Sequence, residues 1–264
     1  MKKRLAALLA ALALLALTAC RAEPAPAETT AAPETTTAVP ETTTAAPETT
    51  AAASETTAAA SPSGSSCPAV VTAEKKEGSV EESVGYNLRT PQASSCASSA
   101  AQTINDYYAA AEGKLADFAS GELYEQAMND RTVLNLTSDY TVERNGGGIL
   151  SILRSAVVSG GGESDRTTWY AETFNLASGG LYTLDDFFTV PEADYKPLLL
   201  KYADPGDADD PKAFAAAAEA SFDKKRFYVT ADALVFFYQP GDLGPPSSFF
   251  EVPVALLGDA FQWP

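Results

Sequence analysis

The sequence contains no histidine, only three cysteines, and 18 basic side chains against 35 acidic ones, a formal net charge of −17. Because imidazole is the base of Ser-His-Asp and Cys-His sites and the commonest zinc ligand, its absence excludes those arrangements. An acidic field disfavours nucleic acid and favours cationic partners, although it also serves solubility. We therefore expect no nucleic-acid partner, no metal and no cofactor.

The sequence also lacks an apolar run long enough to cross a bilayer. Its run Leu5–Leu17 has 13 residues, whereas a membrane-spanning helix needs about 20. Lys2-Lys3-Arg4 precede this run and Leu17-Thr18-Ala19-Cys20 close it, a pattern typical of a secretory signal that ends in a lipoprotein box. We predict a signal peptide over 1–19 and a lipid on Cys20 that holds the protein at the extracytoplasmic face of the cell membrane. An uncleaved membrane helix is the alternative.

Two further cysteines, Cys67 and Cys96, remain once Cys20 carries lipid. An even pair in a compartment that permits oxidation favours a disulfide between them. Such a bridge closes a loop of about 30 residues and contributes roughly 3 kcal/mol in the chain-entropy description. Two free buried thiols are the alternative.

Residues 20–66 consist mainly of alanine, threonine, glutamate and proline. Pro33, Pro40 and Pro47 each remove a helical hydrogen bond, and apart from alanine only Val39 offers an apolar side chain. This composition predicts a disordered, partly extended tether between the lipid and a folded region.

The folded region is expected over 67–264, either around one core or as two closely packed halves at 67–158 and 159–264. Apolar periodicity and turn residues predict its elements. In order they are one or two strands over Ala69–Arg89, a long helix with an apolar stripe from Ala97 to Phe118, strands Thr132–Arg144, Ile149–Val158 and Thr167–Leu176, short helices at Thr183 and after Asp210-Pro211, and strands Arg226–Thr230, Ala233–Tyr238 and Ser248–Val254. This is an α+β fold with a largely antiparallel sheet, a long N-terminal helix and short helices in the C-terminal half.

Several short motifs keep a recognisable order over most of Ala69–Leu257. They are the strand, glycine run and strand of Ile149–Leu176, then GLYTLDDFF at 180–188, FYVT at 227–230, VFFYQPGDLGP at 235–245 and EVP at 251–253. In this order they resemble the extracytoplasmic domain of the RsiV family, which includes lysozyme-sensing anti-sigma factors, and the N-terminal region of PdaC-like peptidoglycan deacetylases. The resemblance implies a non-catalytic domain that binds a cell-envelope ligand.

Two departures limit what the resemblance transfers. Family members carry a histidine after the glycine pair, whereas this chain has Gly160-Gly161-Gly162-Glu163-Ser164. Only Met1–Arg4 precede the apolar run of the signal peptide, which leaves no cytoplasmic segment to hold a sigma factor. We therefore expect a protein that is not itself an anti-sigma factor.

Three weaker patterns suggest chemistry and have a structural interpretation that we favour. Ser221-Phe222-Asp223-Lys224 fits an S-x-x-K motif, but Ser221 would end a helix rather than begin one. The aspartates at 204, 207, 209 and 210 suggest calcium, although their spacing fits an EF-hand poorly and a solvated loop better. The aromatic residues at 236–238, 249 and 250 suit a glycan platform or, more often, a core.

We interpret the sequence as a lipid-tethered domain that binds a lysozyme-type cationic hydrolase or peptidoglycan, with no catalytic residues. A wall-acting enzyme and a ligand-free structural domain are the alternatives. The candidate ligand loops are Gly160–Ser164 and Pro240–Pro246. The candidate ligand residues in and beside them are Gly160, Gly161, Gly162, Glu163, Tyr238, Gln239 and Asp242. Charge reversal at Glu163 and Asp242 is then expected to weaken binding without changing the thermal midpoint.

Overall fold

The computed structural model describes residues 69–94, 98–162, 164–206, 208–244 and 248–264. The signal peptide, the tether, Cys20, Cys67, Cys96 and Glu163 lie outside these residues, so the lipid anchor and the disulfide stay predictions. In the described part of the chain, no helix combines the length and apolarity that a membrane crossing requires.

Eight strands and four α-helices form the domain. The strands are β1 (Val70–Val80), β2 (Val84–Ser94), β3 (Leu134–Gly146), β4 (Ile149–Gly160), β5 (Arg166–Asn175), β6 (Phe227–Val229), β7 (Ala233–Tyr238) and β8 (Ser248–Pro253). The helices are α1 (Ser98–Ser120), α2 (Glu122–Asp130), α3 (Glu192–Leu200) and α4 (Pro211–Ala220), with short 3-10 turns at Leu184–Phe187, Val254–Leu256 and Gly258–Ala260. This content confirms the predicted α+β class.

The strands form two sheets rather than one. The first has five strands in the order β1-β2-β3-β4-β5, and the second has three in the order β6-β7-β8. The predicted meander of β3, β4 and β5 is antiparallel, but β2 and β3 pair in parallel. The chain between β2 and β3 forms α1 and α2, and such a long crossover returns it in the same direction. The larger sheet is therefore mixed.

Helix α1 lies against one face of the larger sheet. Ala100, Ile104 and Tyr108 recur at four-residue steps and are fully buried. Farther along the same helix, Leu115 and Phe118 are only half-buried. The helix therefore packs closely on the sheet at its start and leaves space towards its end.

The C-terminal core is built around an aromatic cluster. Phe187 makes edge contacts with Tyr182 and Phe227 at centroid distances of 5.5 Å each. The turn that carries Phe187 begins with a capping box. The backbone amide of Thr183 donates to the Asp186 side chain, and the backbone amide of Asp186 donates to the Thr183 side chain. Asp210 caps α4 by accepting from the backbone amides of residues 212 and 213, as its sequence predicted.

Helix α3 was not predicted, because Pro197 lies inside it. Proline normally breaks a helix interior, since it lacks an amide donor and crowds the preceding turn. Tyr195 and Leu199 on this helix are fully buried in the C-terminal core. Tertiary burial outweighs the local cost of the proline.

Hydrogen bonds join the two sheets. The hydroxyls of Ser151 on β4 and Thr173 on β5 are 2.8 Å apart, and the Val229 amide of β6 donates to Ser151 Oγ at 3.1 Å. Arg144 on β3 donates to the carbonyl oxygens of Thr230 and Ala231. The face of the larger sheet opposite α1 is thereby joined to the smaller sheet.

Candidate ligand-binding groove

The space under the end of α1 is a groove of about 460 Å³ between this helix and strands β3, β4 and β5. Its lining comes from one helix and three strands. The lining residues are Tyr107, Ala111, Lys114, Leu115, Phe118, Leu136, Arg154, Ala156, Val158, Arg166, Thr168 and Tyr170.

The groove opens along β5, which is the last strand of its sheet. Residues 166, 168 and 170 point to the helix side of β5 and are all exposed. Leu136 and Ala156, on the neighbouring strands, form a floor that is 1% and 6% exposed. The groove therefore has a dry apolar floor and an accessible rim.

A buried ion pair lies at one end of the groove. Arg154 of β4 donates to both carboxylate oxygens of Glu172 on β5, from Nε at 3.0 Å and from Nη2 at 2.5 Å. Arg154 faces Tyr170 across the strands and meets Glu172 diagonally, so both side chains lie on the helix face of the sheet. The exposed fractions are 8% for Arg154 and 4% for Glu172.

Two tyrosines of α1 complete this network. Tyr107 donates its hydroxyl to Glu172 Oε1 at 3.3 Å, and Tyr108 donates to Oε2 at 3.5 Å. The Arg154 guanidinium also lies 5.3 Å from the ring of Tyr108 and 5.1 Å from that of Tyr170. Burial, followed by the charge of Glu172, raises the pKa of Tyr107 to about 12 and that of Tyr108 well above its ordinary value. Both phenols stay neutral donors at physiological pH.

The charges at the groove have one sign. Its lining contains Lys114, Arg154 and Arg166 and no carboxylate. Glu172 neutralises Arg154, whereas Lys114 and Arg166 form no salt bridge within the described residues. Arg166 donates one bond, to the amide oxygen of Gln126 at 2.7 Å. In a chain with twice as many acidic as basic residues, this groove is a local basic site.

No protein-family model matches the sequence, and no curated protein matches it. Two solved structures are similar to the domain. A DUF3298-family protein from Bacteroides fragilis superposes with a TM-score of 0.56 at 12% identity, over 74% of this chain and 93% of its own. A DUF3298-family protein from Pseudomonas aeruginosa gives a TM-score of 0.51 at 16% identity, over 74% and 94%. The domain has the fold of these DUF3298-family structures. At these identities the likeness concerns the fold alone.

In this DUF3298-like fold, the predicted loop after β4 lies beside the groove. Gly160 pairs with Leu134 at the end of β4, and Gly160 and Gly161 line a cavity of about 140 Å³. This cavity shares Val158 and Arg166 with the groove. Gly162 is exposed, and Glu163 lies outside the described residues.

In and beside the second predicted loop, the polar groups of the three candidate ligand residues are engaged within the protein. Tyr238 is 1% exposed and donates its hydroxyl to the Ala218 carbonyl at 2.8 Å. Gln239 uses both ends of its amide on the backbone of Trp169, at 3.0 and 2.6 Å. The Asp242 carboxylate accepts hydrogen bonds from Arg226 Nη1 and from the backbone amide of Gln239. Gln239 thus joins the end of β7 to β5, and Asp242 pairs with Arg226 and holds the turn after β7. We therefore expect reversal at Asp242 to lower stability, whereas the prediction from sequence was an unchanged thermal midpoint.

The weaker sequence patterns receive structural roles. Ser221 is the C-cap of α4, and Lys224 pairs with Asp185 and Glu192. Asp204 and Asp210 accept backbone amides of their own loop and helix. Phe236 and Tyr238 are core residues, while Phe249 is 36% exposed and stacks on Phe237.

Sequence reasoning missed the ion pair at the groove, although a signal was present. Arg154 interrupts the apolar strand ILSILRSAVV, and Glu172 interrupts WYAETF on the next strand. Two opposite charges inside neighbouring buried strands indicate a pair, since a lone buried charge is costly. Lys114 and Arg166 gave no comparable signal, because exposed cations occur throughout a surface.

Proposed function

We propose that this protein is a non-catalytic binding domain, held at the extracytoplasmic face of the membrane by a lipid on Cys20. Its ligand is a cationic envelope protein of the lysozyme type. The fold shared with DUF3298-family structures and the resemblance of its motifs to the RsiV domain support this proposal.

The observation that carries the proposal is the charge on the outer helical layer. Residues 98–130, which form α1 and α2, contain six carboxylates and a single cation, Lys114. Glu122, Glu125 and Asp130 are exposed on α2 and form no salt bridge within the described residues. Complementary charge of this kind steers a basic partner and fixes its orientation.

The test uses the mature chain, residues 20–264, with Cys20→Ser, so that the protein carries neither the signal peptide nor a lipid. Lysozyme binding is measured by calorimetry from 0.05 to 0.5 M salt, beside cytochrome c as a basic protein of another fold. We expect saturable lysozyme binding that persists at 0.5 M salt and inhibits its activity. Nonspecific attraction fades above about 0.15 M, where the Debye length falls below about 8 Å.

A matched pair of variants tests the helical layer. The triple variant E122Q/E125Q/D130N removes three exposed charges from α2, whereas D194N/D209N/E219Q removes three exposed charges elsewhere. We expect the first to weaken lysozyme binding by about tenfold or more and the second by less than about threefold. Equal effects, or the same curve for cytochrome c, would contradict the proposal. Release of sugars or acetate from purified peptidoglycan would instead indicate an enzyme.

A further inference from the structure

We propose that the groove under α1 binds the carboxylate of a long-chain fatty acid, with the chain on the apolar floor and the head between Lys114 and Arg166. This inference goes beyond capture of a cationic protein, because it concerns the opposite charge and a different surface. Glu122 and Glu125 are exposed on α2, whereas the groove lies between α1 and the sheet. Asp130, at the end of α2, lines the small cavity that shares Arg166 with the groove.

Charge complementarity selects an anionic head group. Lys114 on α1 and Arg166 on β5 flank the groove from opposite sides, and its lining holds no carboxylate. Neither cation has an acidic partner among the described residues. Glu172 neutralises the charge of Arg154 through bonds to Nε and Nη2, so Arg154 contributes little free charge. An anion entering the groove therefore meets two cations that are available.

The apolar floor of the groove favours a ligand with an aliphatic chain. Leu115 and Phe118 of α1 pack beside Leu136, Ala156 and Val158 of the sheet, and all five line the groove. At about 30 Å³ of liquid volume per water molecule, the groove's 460 Å³ holds about 15 waters. A methylene group fills a similar volume, so a chain of about 15 carbons would replace them and cover this apolar surface.

At the buried end of the groove, several polar groups are already engaged, which disfavours a glycan there. The hydroxyl of Tyr107 is engaged by Glu172, as are the guanidinium donors Nε and Nη2 of Arg154. A sugar chain needs many hydrogen-bond partners when it leaves water, and it would leave this apolar floor unmatched.

The experiment titrates the mature Cys20→Ser chain, residues 20–264, with palmitate below its micelle concentration, using calorimetry. We expect saturable binding of one palmitate. Hexadecyltrimethylammonium, which has the same chain and a cationic head, should bind at least tenfold more weakly. Muramyl dipeptide, an anion without a long chain, should not bind. Equal affinity for both head groups, tighter binding of muramyl dipeptide, or no saturable palmitate binding would each overturn the inference.

Three variants locate the site. K114E/R166E should weaken palmitate binding by more than tenfold, whereas K212E/K225E, which makes the same charge change at exposed sites outside the groove, should change it by less than threefold. Thr168→Trp fills the groove from an exposed position on β5 and should abolish binding while the circular dichroism spectrum is unchanged. Normal palmitate binding by either groove variant would overturn the placement. Lysozyme binding by these variants should persist, so failure of one proposal is distinguishable from failure of the other.

Discussion

The C-terminal core and the groove under α1 differ in how far their apolar side chains are covered by other residues. In the C-terminal core, Phe187 is fully buried and meets the rings of Tyr182, Phe227, Phe261 and Trp263 within 6.2 Å. In the groove, comparable apolar side chains face an open volume of about 460 Å³. Burial of apolar surface stabilises a fold by about 25 cal/mol per Å², and surface that stays in water does not contribute this stabilisation. The comparison indicates that the first region serves stability and the second leaves surface for a ligand to cover.

The difference in packing between the two regions is tested most directly by truncating one aromatic ring in each. Phe187→Ala removes a fully buried ring and is expected to lower the free energy of unfolding by about 3–5 kcal/mol. Phe118→Ala removes a half-buried ring beside existing empty space, so we expect a loss of about 1 kcal/mol. Urea denaturation measures both. Equal losses would show that the groove is as closely packed as the core.

A second prediction concerns the ion pair at the groove. Glu172→Leu leaves the Arg154 guanidinium 8% exposed without its partner, and we expect a loss of about 3 kcal/mol. The double variant R154M/E172L removes both charges and is expected to recover most of that loss. Chemical denaturation of wild type, single and double variants forms a thermodynamic cycle. A double variant as unstable as the sum of its singles would refute the coupling.

The glycine run after β4 provides a matched pair of substitutions. A Cβ on Gly160, at φ +110°, would collide with the carbonyl oxygen of Val133, whereas one on Gly162, at φ +78°, meets nothing within 4 Å. Gly162→Ala therefore carries only the strain of the left-handed region, about 1 kcal/mol, and Gly160→Ala about twice that or more. The thermal midpoints of the two variants show which substitution destabilises the protein more. A larger loss for Gly162→Ala would contradict the packing of Gly160 on β3.

The smallest effect is expected at a surface pair of the C-terminal region. The side chains of Lys224 and Tyr195 donate to Asp185 and lower its pKa below the ordinary value of 3.8. Because the folded pKa is the lower one, the stabilisation is complete above the unfolded value and is lost as pH falls through the folded value. Asp185→Asn should lower the thermal midpoint by less than about 2 °C at pH 7.

The pH series for this variant extends from 7 to 2. The gap between wild type and Asp185→Asn should stay constant down to about pH 5 and close below the ordinary value of 3.8. Asp194→Asn removes a charge from an exposed site on α3 and serves as the control. A gap that widens in acid would reverse the predicted sign.

Sequence patterns placed most elements within a few residues because local signals repeat strongly there. The turn Asn145–Gly148 predicted the β3–β4 hairpin, and Gly147 and Gly148 adopt the required positive φ of 62° and 82°. Asp210-Pro211 predicted the start of α4 for a similar local reason. Helix α3 and the parallel pairing of β2 with β3 were missed, because burial of Tyr195 and the path of a crossover depend on distant residues.

The candidate site was harder to predict than the fold. The loop at 160–164 was expected at a ligand face, and its residues Gly160, Gly161 and Ser164 line a cavity that shares Val158 and Arg166 with the groove. Tyr238, Gln239 and Asp242 were also expected there, yet their polar groups are engaged within the protein. A polar residue in a loop sequence has the same appearance whether its partner is solvent or a backbone atom of another strand.

The sequence by itself determined the class of fold, the positions of its turns and caps, and the excess of negative charge, since these depend on composition and neighbouring residues. Only the tertiary structure decided that Lys114 from a helix and Arg166 from an edge strand flank one groove. It also decided that Arg154 and Glu172 satisfy each other beneath α1. These contacts join residues 18 to 52 positions apart, and their distances are set by how the helix lies on the sheet.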